Sequence, residues 1–192
     1  MSFCLNSRLL AFIRLWIDGG WAVDALLCQP TRPHGDLDIV VQKQDVEHTR
    51  DVLKELGYKD QMDVDTRPSN FVMADEAGHE IDLHVIEFDE DGNGVYVPPD
   101  LGLSYPSDSL TGQGVIGCHL VSYISPEWLV RFHTGYEIDE QDIHDVMALH
   151  RRFGVSLPDE YILLPKTSDD RDAQADEQLV KYSSLSLPTE TK

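Results

Sequence analysis

Basic residues are scarce in this chain of 192 residues: 15 lysines and arginines stand against 35 aspartates and glutamates, for a formal net charge of −20 at pH 7. Proteins that bind nucleic acids hold the phosphate backbone through clustered lysine and arginine. The sequence therefore argues against nucleic acid as a partner. The acidic charge favours a divalent cation or a cationic small molecule, and it is equally consistent with plain solubility.

Cysteine is also rare, with Cys4, Cys28 and Cys118 far apart and no Cys-x-x-Cys pair. This spacing argues against a zinc cluster and against a disulfide framework. The apolar stretch at residues 9–17 is interrupted by Arg14 and is not followed by a cleavage site of small residues, so no secretory signal is predicted. No apolar run is long enough to span a bilayer. We therefore expect a cytoplasmic protein without a membrane partner.

The composition predicts one domain followed by a tail. Hydrophobic residues make up 41% of the chain, enough to bury a core. The apolar periodicity ends near Lys166, after which Ser, Asp, Thr and Lys dominate. We therefore predict a domain over residues 1–165, with a helical part at about 125–165, and a disordered tail over 166–192.

Hydrophobic periodicity and turn residues predict a chain of mixed helices and strands. The predicted elements of the first half are a helix over 5–15, a strand at Trp16–Asp18, a glycine turn, a helix over Trp21–Leu27, a strand over Leu37–Val41 and a helix over Asp45–Leu56. The predicted elements of the second half are a hairpin of Asn70–Ala74 and Glu80–Ile86, strands at Val95–Pro98 and Val115–Ile124, a helix over Pro126–Phe132 and a helix from near Asp139 up to Gly154.

Three aspartates carry the chemical signal. Asp36 and Asp38 occupy alternate positions at the start of a predicted strand, so their side chains share a face and repel each other unless a cation lies between them. Asp82 is isolated between Ile81 and Leu83, where an aspartate is costly unless it is paired or bound to metal. Carboxylate oxygen is the ligand that Mg²⁺ prefers. The pattern predicts a metal-dependent nucleotide site.

A glycine pair, Gly19-Gly20, lies at the end of the first predicted strand. Because glycine has no side chain, such a pair lets the backbone approach a phosphate closely. Two adjacent glycines are also common in ordinary tight turns, so the pair is informative only together with the aspartates that follow it.

In combination, these residues resemble the nucleotidyltransferase superfamily related to DNA polymerase β. Its motif is a glycine pair, a short helix, an Asp-x-Asp element and a third acidic residue on a later strand. More narrowly, residues 19–27 and 31–39 resemble the group of aminoglycoside 2″-adenylyltransferases and lincosamide nucleotidyltransferases. The resemblance extends to residues 124–128 and 131–137, and it covers roughly residues 16–160.

This resemblance implies an α+β nucleotidyltransferase fold, a mixed β-sheet flanked by helices with a small C-terminal helical region. It also implies the transfer of a nucleoside monophosphate, AMP from ATP or another nucleoside triphosphate, to a hydroxyl group of a small molecule. Two Mg²⁺ ions are the implied cofactors. The implied catalytic and metal-binding residues are Asp36, Asp38 and Asp82, and the implied nucleotide-binding residues are Gly19, Gly20, Arg32 and His34.

Two questions stay open at the level of the sequence. The resemblance leaves the acceptor open: it implies an aminoglycoside or a lincosamide, or else a tRNA or a protein that is modified by a toxin-type or regulatory nucleotidyltransferase. The same three carboxylates would serve all of these acceptors, although the negative charge counts against tRNA. The sequence does not indicate an oligomeric state.

Several neighbouring residues have two interpretations. Arg32 either contacts a phosphate or pairs with Asp24 or Asp36. His34 either lies near the phosphates or is a loop imidazole bonded to the backbone. Asp24 is expected to orient the loop rather than to bind metal. His84, two residues beyond Asp82, either points into the same cleft or lies at the edge of the core.

Overall fold

The computed structural model describes residues 13–61, 69–97, 102–116 and 119–163. The chain divides into two compact units, Met1–Leu157 and Pro158–Lys192. The described part of the second unit is residues 158–163, which contain one short helix. The predicted end of the domain near residue 165 and the predicted tail over 166–192 lie outside the described residues.

The described strands of the first unit form one mixed β-sheet, in the order β3-β4-β5-β2-β1-β9-β8, with β6 beside β5 and β7 beside β6. The β2–β5 and β1–β9 pairs are parallel, and the other pairs are antiparallel. The strands are β1 (Leu15–Ile17), β2 (Asp36–Gln42), β3 (Lys59–Asp60), β4 (Asn70–Ala74), β5 (Glu80–Phe88), β6 (Gly94–Tyr96), β7 (Ser104–Tyr105), β8 (Gly112–Ile116) and β9 (His119–Tyr123).

Helices accompany the sheet, so the predicted α+β class is confirmed. The helices of the first unit are α1 (Gly19–Leu27), α2 (Val46–Glu55), α3 (Pro126–Phe132) and α4 (Glu140–Phe153), and α5 (Asp159–Ile162) belongs to the second unit. Helix α4 begins and ends where the sequence predicts. The Asp139 side chain caps its first turn, and Gly154 ends it in the left-handed conformation that favours glycine. None of the helices within the described ranges has the length and hydropathy to cross a membrane.

Side-chain alternation sends the residues of each strand to two opposite faces of the sheet, and both faces carry buried apolar residues. The core side chains on one face come from β2, β4, β5 and the segment around α2. They are Ile39, Val41, Leu53, Tyr58, Phe71, Met73, Ile81, Leu83 and Val85. The residues between them in β2 and β5 project to the opposite face, where α1 begins. The apolar pattern of the strands thereby determines which face carries the aspartates.

The predicted N-terminal helix over 5–15 is wrong in its described part. Ile13 and Arg14 are not helical, and Leu15 begins β1, while residues 5–12 lie outside the described residues. Leu15 and the two residues after it pair with β2, and a strand that is hydrogen-bonded in the sheet cannot also continue a helix.

Two further boundaries differ from the sequence prediction. The predicted single strand Val115–Ile124 is wrong, because β8 and β9 are two antiparallel strands in which Gly112 faces Tyr123. Helix α1 begins at Gly19 and not at Trp21, because the Asp18 side chain accepts a hydrogen bond from the Gly19 N–H and caps the helix there.

Candidate active site

The register of β2 and β5 brings the predicted carboxylates together. These strands are parallel neighbours, and Asp38 lies directly beside Asp82. Two residues earlier along the strands Asp36 lies beside Glu80, and two residues later Val40 lies beside His84. One ligand atom each from Asp38, Asp82 and His84 lies within 4.8 Å of the others. The convergence of Asp38 and Asp82 thus follows from strand pairing, and Asp36 adjoins this group on the same face.

The site concentrates negative charge in partly buried surroundings. Burial raises the pKa of Asp82; the His84 imidazole opposes this rise, and the Asp38 carboxylate adds to it. Burial, and then Asp38, raises the pKa of Asp36. The Asp82 Oδ1 atom is buried and has no hydrogen-bond partner among the described residues. An acceptor atom of this kind, beside other carboxylates, fits a bound cation.

Gly19 lies directly against this cluster. The Asp18 N–H donates to the backbone carbonyl of Asp38 at 2.9 Å, which ties the start of α1 to β2. Gly19 has a φ of +56°, and a Cβ atom built on it would overlap the Asp38 Oδ2 atom. Glycine is therefore required here for its conformation and for the close approach of the carboxylate. The glycine bend and the aspartates lie on the same side of the sheet.

Gly20 makes room for the loop that precedes β2. A Cβ atom at Gly20 would collide with the His34 imidazole and would lie 2.7 Å from the Nη2 atom of Arg32. Both side chains that were predicted to lie near the phosphates therefore stand against the glycine pair. The side chains of Arg32 and His34 occupy the space that a residue larger than glycine would need at position 20.

Asp24 of α1 holds this loop, as its predicted role requires. One carboxylate oxygen accepts hydrogen bonds from the Thr31 N–H at 2.9 Å and from the Thr31 hydroxyl at 2.6 Å. The other oxygen pairs with His34 Nε2 at 2.8 Å. The His34 side chain is only 3% exposed, and its Nδ1 atom has no hydrogen-bond partner in the described part of the chain. Asp24 therefore orients His34 with one ring nitrogen left for another group.

Arg32 is held by α4. Its Nε and Nη2 atoms donate to the fully buried Asp145 carboxylate at 3.2 and 2.7 Å, and its Nη1 donates to Gln141 at 2.7 Å and to the Pro33 carbonyl at 3.2 Å. The hydrogen bonds that Arg32 donates to the Asp145 carboxylate raise the pKa of the guanidinium. Neither predicted ion-pair partner, Asp24 nor Asp36, is among its described hydrogen-bond partners. The true partner lies 113 residues away in the sequence.

His84 connects the carboxylates to a chain of hydroxyl groups. Its Nδ1 atom lies 2.9 Å from the Tyr96 hydroxyl, which donates to the Tyr105 hydroxyl at 3.3 Å, and that hydroxyl donates to Asp18 Oδ2 at 2.9 Å. The His84 Nε2 atom lies 3.7 Å from Asp38 Oδ1. His84 therefore points into the cleft, which was one of its two sequence interpretations. Asp18, Tyr96 and Tyr105 were missed, because no spacing in the sequence signals that they meet.

The electrostatics of His84 follow from these neighbours. Burial lowers the pKa of the imidazole, but the carboxylates of Asp38, Asp18 and Asp82 together outweigh it and raise the pKa above its ordinary value. Burial also raises the pKa of Asp18 and takes that of Tyr105 well above its ordinary value. Asp18, Asp38 and Asp82 thus surround His84 with negative charge, and the cluster attracts cations.

The comparison with known protein families identifies the chain. The sequence model of the aminoglycoside-2″-adenylyltransferase family matches residues 8–149, a span that contains every site residue described above. The chain belongs to this family. It is therefore an enzyme of the nucleotidyltransferase class, as the sequence motifs predicted.

Individual relatives of this family agree with the assignment. A lincosamide resistance protein of Staphylococcus haemolyticus is 29% identical over 137 residues, which are 71% of this chain and 84% of the relative. The lincomycin-bound crystal structure of the lincosamide adenylyltransferase LnuA matches with a TM-score of 0.64 at 28% identity, over 77% of this chain and 92% of that one. The structure of ANT(2″)-Ia with adenylyl-2″-tobramycin shares the fold, with a TM-score of 0.59 at 19% identity, over 91% of this chain and 97% of that one.

Membership of this family implies a nucleoside triphosphate as co-substrate and a metal ion. The donor atoms of the site fit such an ion, because they are carboxylate oxygens and one imidazole nitrogen, and because the buried Asp82 Oδ1 atom lacks a partner in the described chain. Asp38 and Asp82, two of the three predicted metal ligands, thus lie where a cation would relieve their mutual repulsion, and Asp36 stays a prediction.

Proposed function

We propose that this enzyme transfers AMP from ATP to a hydroxyl group of a small-molecule antibiotic and releases pyrophosphate. In this reaction the acceptor oxygen forms a bond to the α-phosphorus, the bond from that phosphorus to the pyrophosphate oxygen breaks, and the hydroxyl proton passes to the enzyme. The observation that supports this most strongly is the register that sets Asp38 beside Asp82, next to the bend at Gly19.

In this proposal Asp36, Asp38 and Asp82 hold two Mg²⁺ ions. Bound Mg²⁺ would supply charge neutralisation for the triphosphate and for the departing pyrophosphate. Asp82 also accepts the proton of the acceptor hydroxyl.

The nucleotide side of the site would be formed by Gly19, Gly20, Arg32 and His34. Arginine has five N–H donors, and four of those in Arg32 make the contacts to Asp145, Gln141 and Pro33. The remaining hydrogen is on Nη2, the atom that lies against Gly20. We expect this group and the unpartnered ring nitrogen of His34 to contact the triphosphate. Arg32 then serves as a fixed donor and not as a mobile one.

The acceptor we propose first is a lincosamide. The relatives at 28–29% identity are named for lincosamides, whereas the aminoglycoside-modifying structure is 19% identical. Two half-buried aromatic rings near His84, those of Tyr96 and Phe132, support an acceptor with an apolar face; both pack on the buried Tyr105, with ring centroids 5.7 and 5.4 Å from it. The net charge of −20 would also suit a cationic aminoglycoside, which is the second acceptor to test.

The test is a transfer assay with labelled ATP or GTP, Mg²⁺, and separate panels of lincosamides, aminoglycosides and tRNA. We expect a labelled lincosamide from ATP. Asp38→Asn should lower the rate about 10³-fold or more, because it removes a ligand that acts in the transition state. Asp75→Asn is the matched control, since Asp75 lies in the β4–β5 turn, bonded to His79. Full activity of Asp38→Asn, or label on tRNA alone, would overturn the proposal.

A further inference from the structure

We infer, on the basis of the proposed function, that the His84 Nε2 atom is a nitrogen ligand of the divalent cation held by Asp38 and Asp82. The ligand set is then two carboxylates and one imidazole from two adjacent parallel strands. Asp36, which lies outside this group of three, is left to bind a second cation from its place at the start of β2.

The hydrogen-bond chain behind His84 determines which ring nitrogen faces the carboxylates. The Asp18 carboxylate accepts, so the Tyr105 hydroxyl uses its hydrogen on Asp18. Tyr105 can then only accept from Tyr96, whose hydrogen is thereby used. The Tyr96 oxygen must in turn accept from His84 Nδ1, at 2.9 Å. A neutral imidazole with its hydrogen on Nδ1 has its lone pair on Nε2.

The Nε2 atom is placed for coordination. It lies 3.7 Å from Asp38 Oδ1 and within 4.8 Å of a ligand oxygen of Asp82. Ligand atoms about 2.1 Å from an octahedral cation lie about 3 to 4 Å from one another, so one ion can reach both. The Asp82 Oδ1 atom, buried and without a hydrogen-bond partner in the described chain, is an oxygen available to that ion.

The Tyr96 hydroxyl completes the arrangement. Histidines that bind metals usually donate their other ring N–H to an acceptor, which fixes the orientation of the ring. The His84–Tyr96 contact has this form, and it continues to Asp18 at the start of α1. A nitrogen ligand changes the metal selectivity of the site, because imidazole binds Mn²⁺ and Co²⁺ more tightly than it binds Mg²⁺. We therefore expect the cation affinity to rise in the order Mg²⁺, Mn²⁺, Co²⁺.

The direct test is pulsed electron paramagnetic resonance of the full chain with Mn²⁺ and inorganic pyrophosphate, which contains no nitrogen. We expect modulation from a directly bound ¹⁴N nucleus, replaced by ¹⁵N modulation when histidine is labelled with ¹⁵N. His84→Asn should abolish this signal. Asparagine keeps an amide group near the position of Nδ1 that can still donate to Tyr96, and it removes the Nε2 atom. His79→Asn, in the turn of the same hairpin, is the matched control.

Calorimetric titrations give the second measurement. We expect His84→Asn to weaken Co²⁺ binding at least about tenfold and Mg²⁺ binding less than about threefold, and His79→Asn to change neither. A wild-type spectrum without bound nitrogen, or equal loss of Co²⁺ and Mg²⁺ affinity in His84→Asn, would overturn the inference. Because the labelled wild-type spectrum needs no variant and no turnover, it reports on His84 even where no antibiotic is modified. A failed transfer assay with an intact nitrogen signal would refute the proposed reaction alone.

Discussion

Asp82→Asn is expected to be more stable than the wild type when no metal is bound, and less stable than the wild type when Mg²⁺ is bound. Without metal, the Asp82 carboxylate is a cost, because its Oδ1 atom is buried without a described partner and Asp38 is adjacent. Asparagine has nearly the same shape, carries no charge and can donate to Asp38. The variant should therefore be more stable than the wild type in EDTA, although it has lost a catalytic group.

The magnitude follows from the environment. An unsatisfied buried acceptor costs about 1–3 kcal/mol, and the lower end applies because the Asp82 carboxylate is only partly buried, so we expect a gain of about 1 kcal/mol. A ligand at 100 times its Kd stabilises the folded state by about 2.7 kcal/mol. With Mg²⁺ at 100 times its Kd the wild type should then be the more stable protein by about 1.7 kcal/mol, if the variant no longer binds the ion.

The pH dependence has a definite sign. The pKa of Asp82 is raised in the folded state, so its contribution favours folding below the unfolded pKa of about 3.9 and is lost as pH rises through the folded pKa. The advantage of Asp82→Asn in EDTA should therefore be small near pH 4 and full at neutral pH. Urea unfolding of both proteins, with EDTA or Mg²⁺, measures all of these quantities. A variant that is less stable than the wild type in EDTA at neutral pH would show that the Asp82 carboxylate does not destabilise the metal-free protein.

Three further outcomes are expected. Gly19→Ala should displace the Asp38 carboxylate and lower transfer about 100-fold, with a loss of about 1–2 kcal/mol in the free energy of unfolding; normal activity would contradict the close approach. Asp145→Asn should release Arg32 and raise the KM for ATP about tenfold, while the KM for the acceptor stays unchanged. Steady-state kinetics measure both constants, and a rise in the KM of both substrates would indicate that the Arg32–Asp145 pair is only structural. Asp139→Ala should lower the melting temperature at neutral pH, because hydrogen bonds from the backbone of the first turn of α4 lower the pKa of Asp139 and stabilise its charged form. That contribution is lost as pH falls through the lowered pKa, so circular dichroism should show the difference shrinking in acid.

The convergence of the carboxylates could be predicted from the sequence because it depends on local rules. Alternation along a strand places Asp36 and Asp38 on one face, and an aspartate such as Asp82 in an apolar strand has few stable environments other than a pair or a metal. The alternate apolar residues of β2 and β5 pack into the core on one face, so these aspartates lie on the opposite face. Only the register that sets Asp38 beside Asp82 had to come from the structure.

The supporting contacts could not be predicted, because they join distant segments. Arg32 finds Asp145 on α4, 113 residues along the chain, and no property of either residue names the other. His84 reaches Tyr96 and Tyr105 through the pairing of β5 with β6 and of β6 with β7. Tertiary packing brings such partners together, whereas the sequence pattern carries only local periodicity.

The proposed chemistry requires that Asp38 and Asp82 hold a divalent cation beside a triphosphate at the glycine pair. A crystal structure with Mn²⁺ and a non-hydrolysable ATP analogue, in which anomalous scattering locates the ion, tests this requirement. We expect Mn²⁺ within about 2.2 Å of oxygens of both carboxylates, with the triphosphate against Gly19 and Gly20. An ion bound elsewhere, or a triphosphate on the opposite face of the sheet, would contradict it.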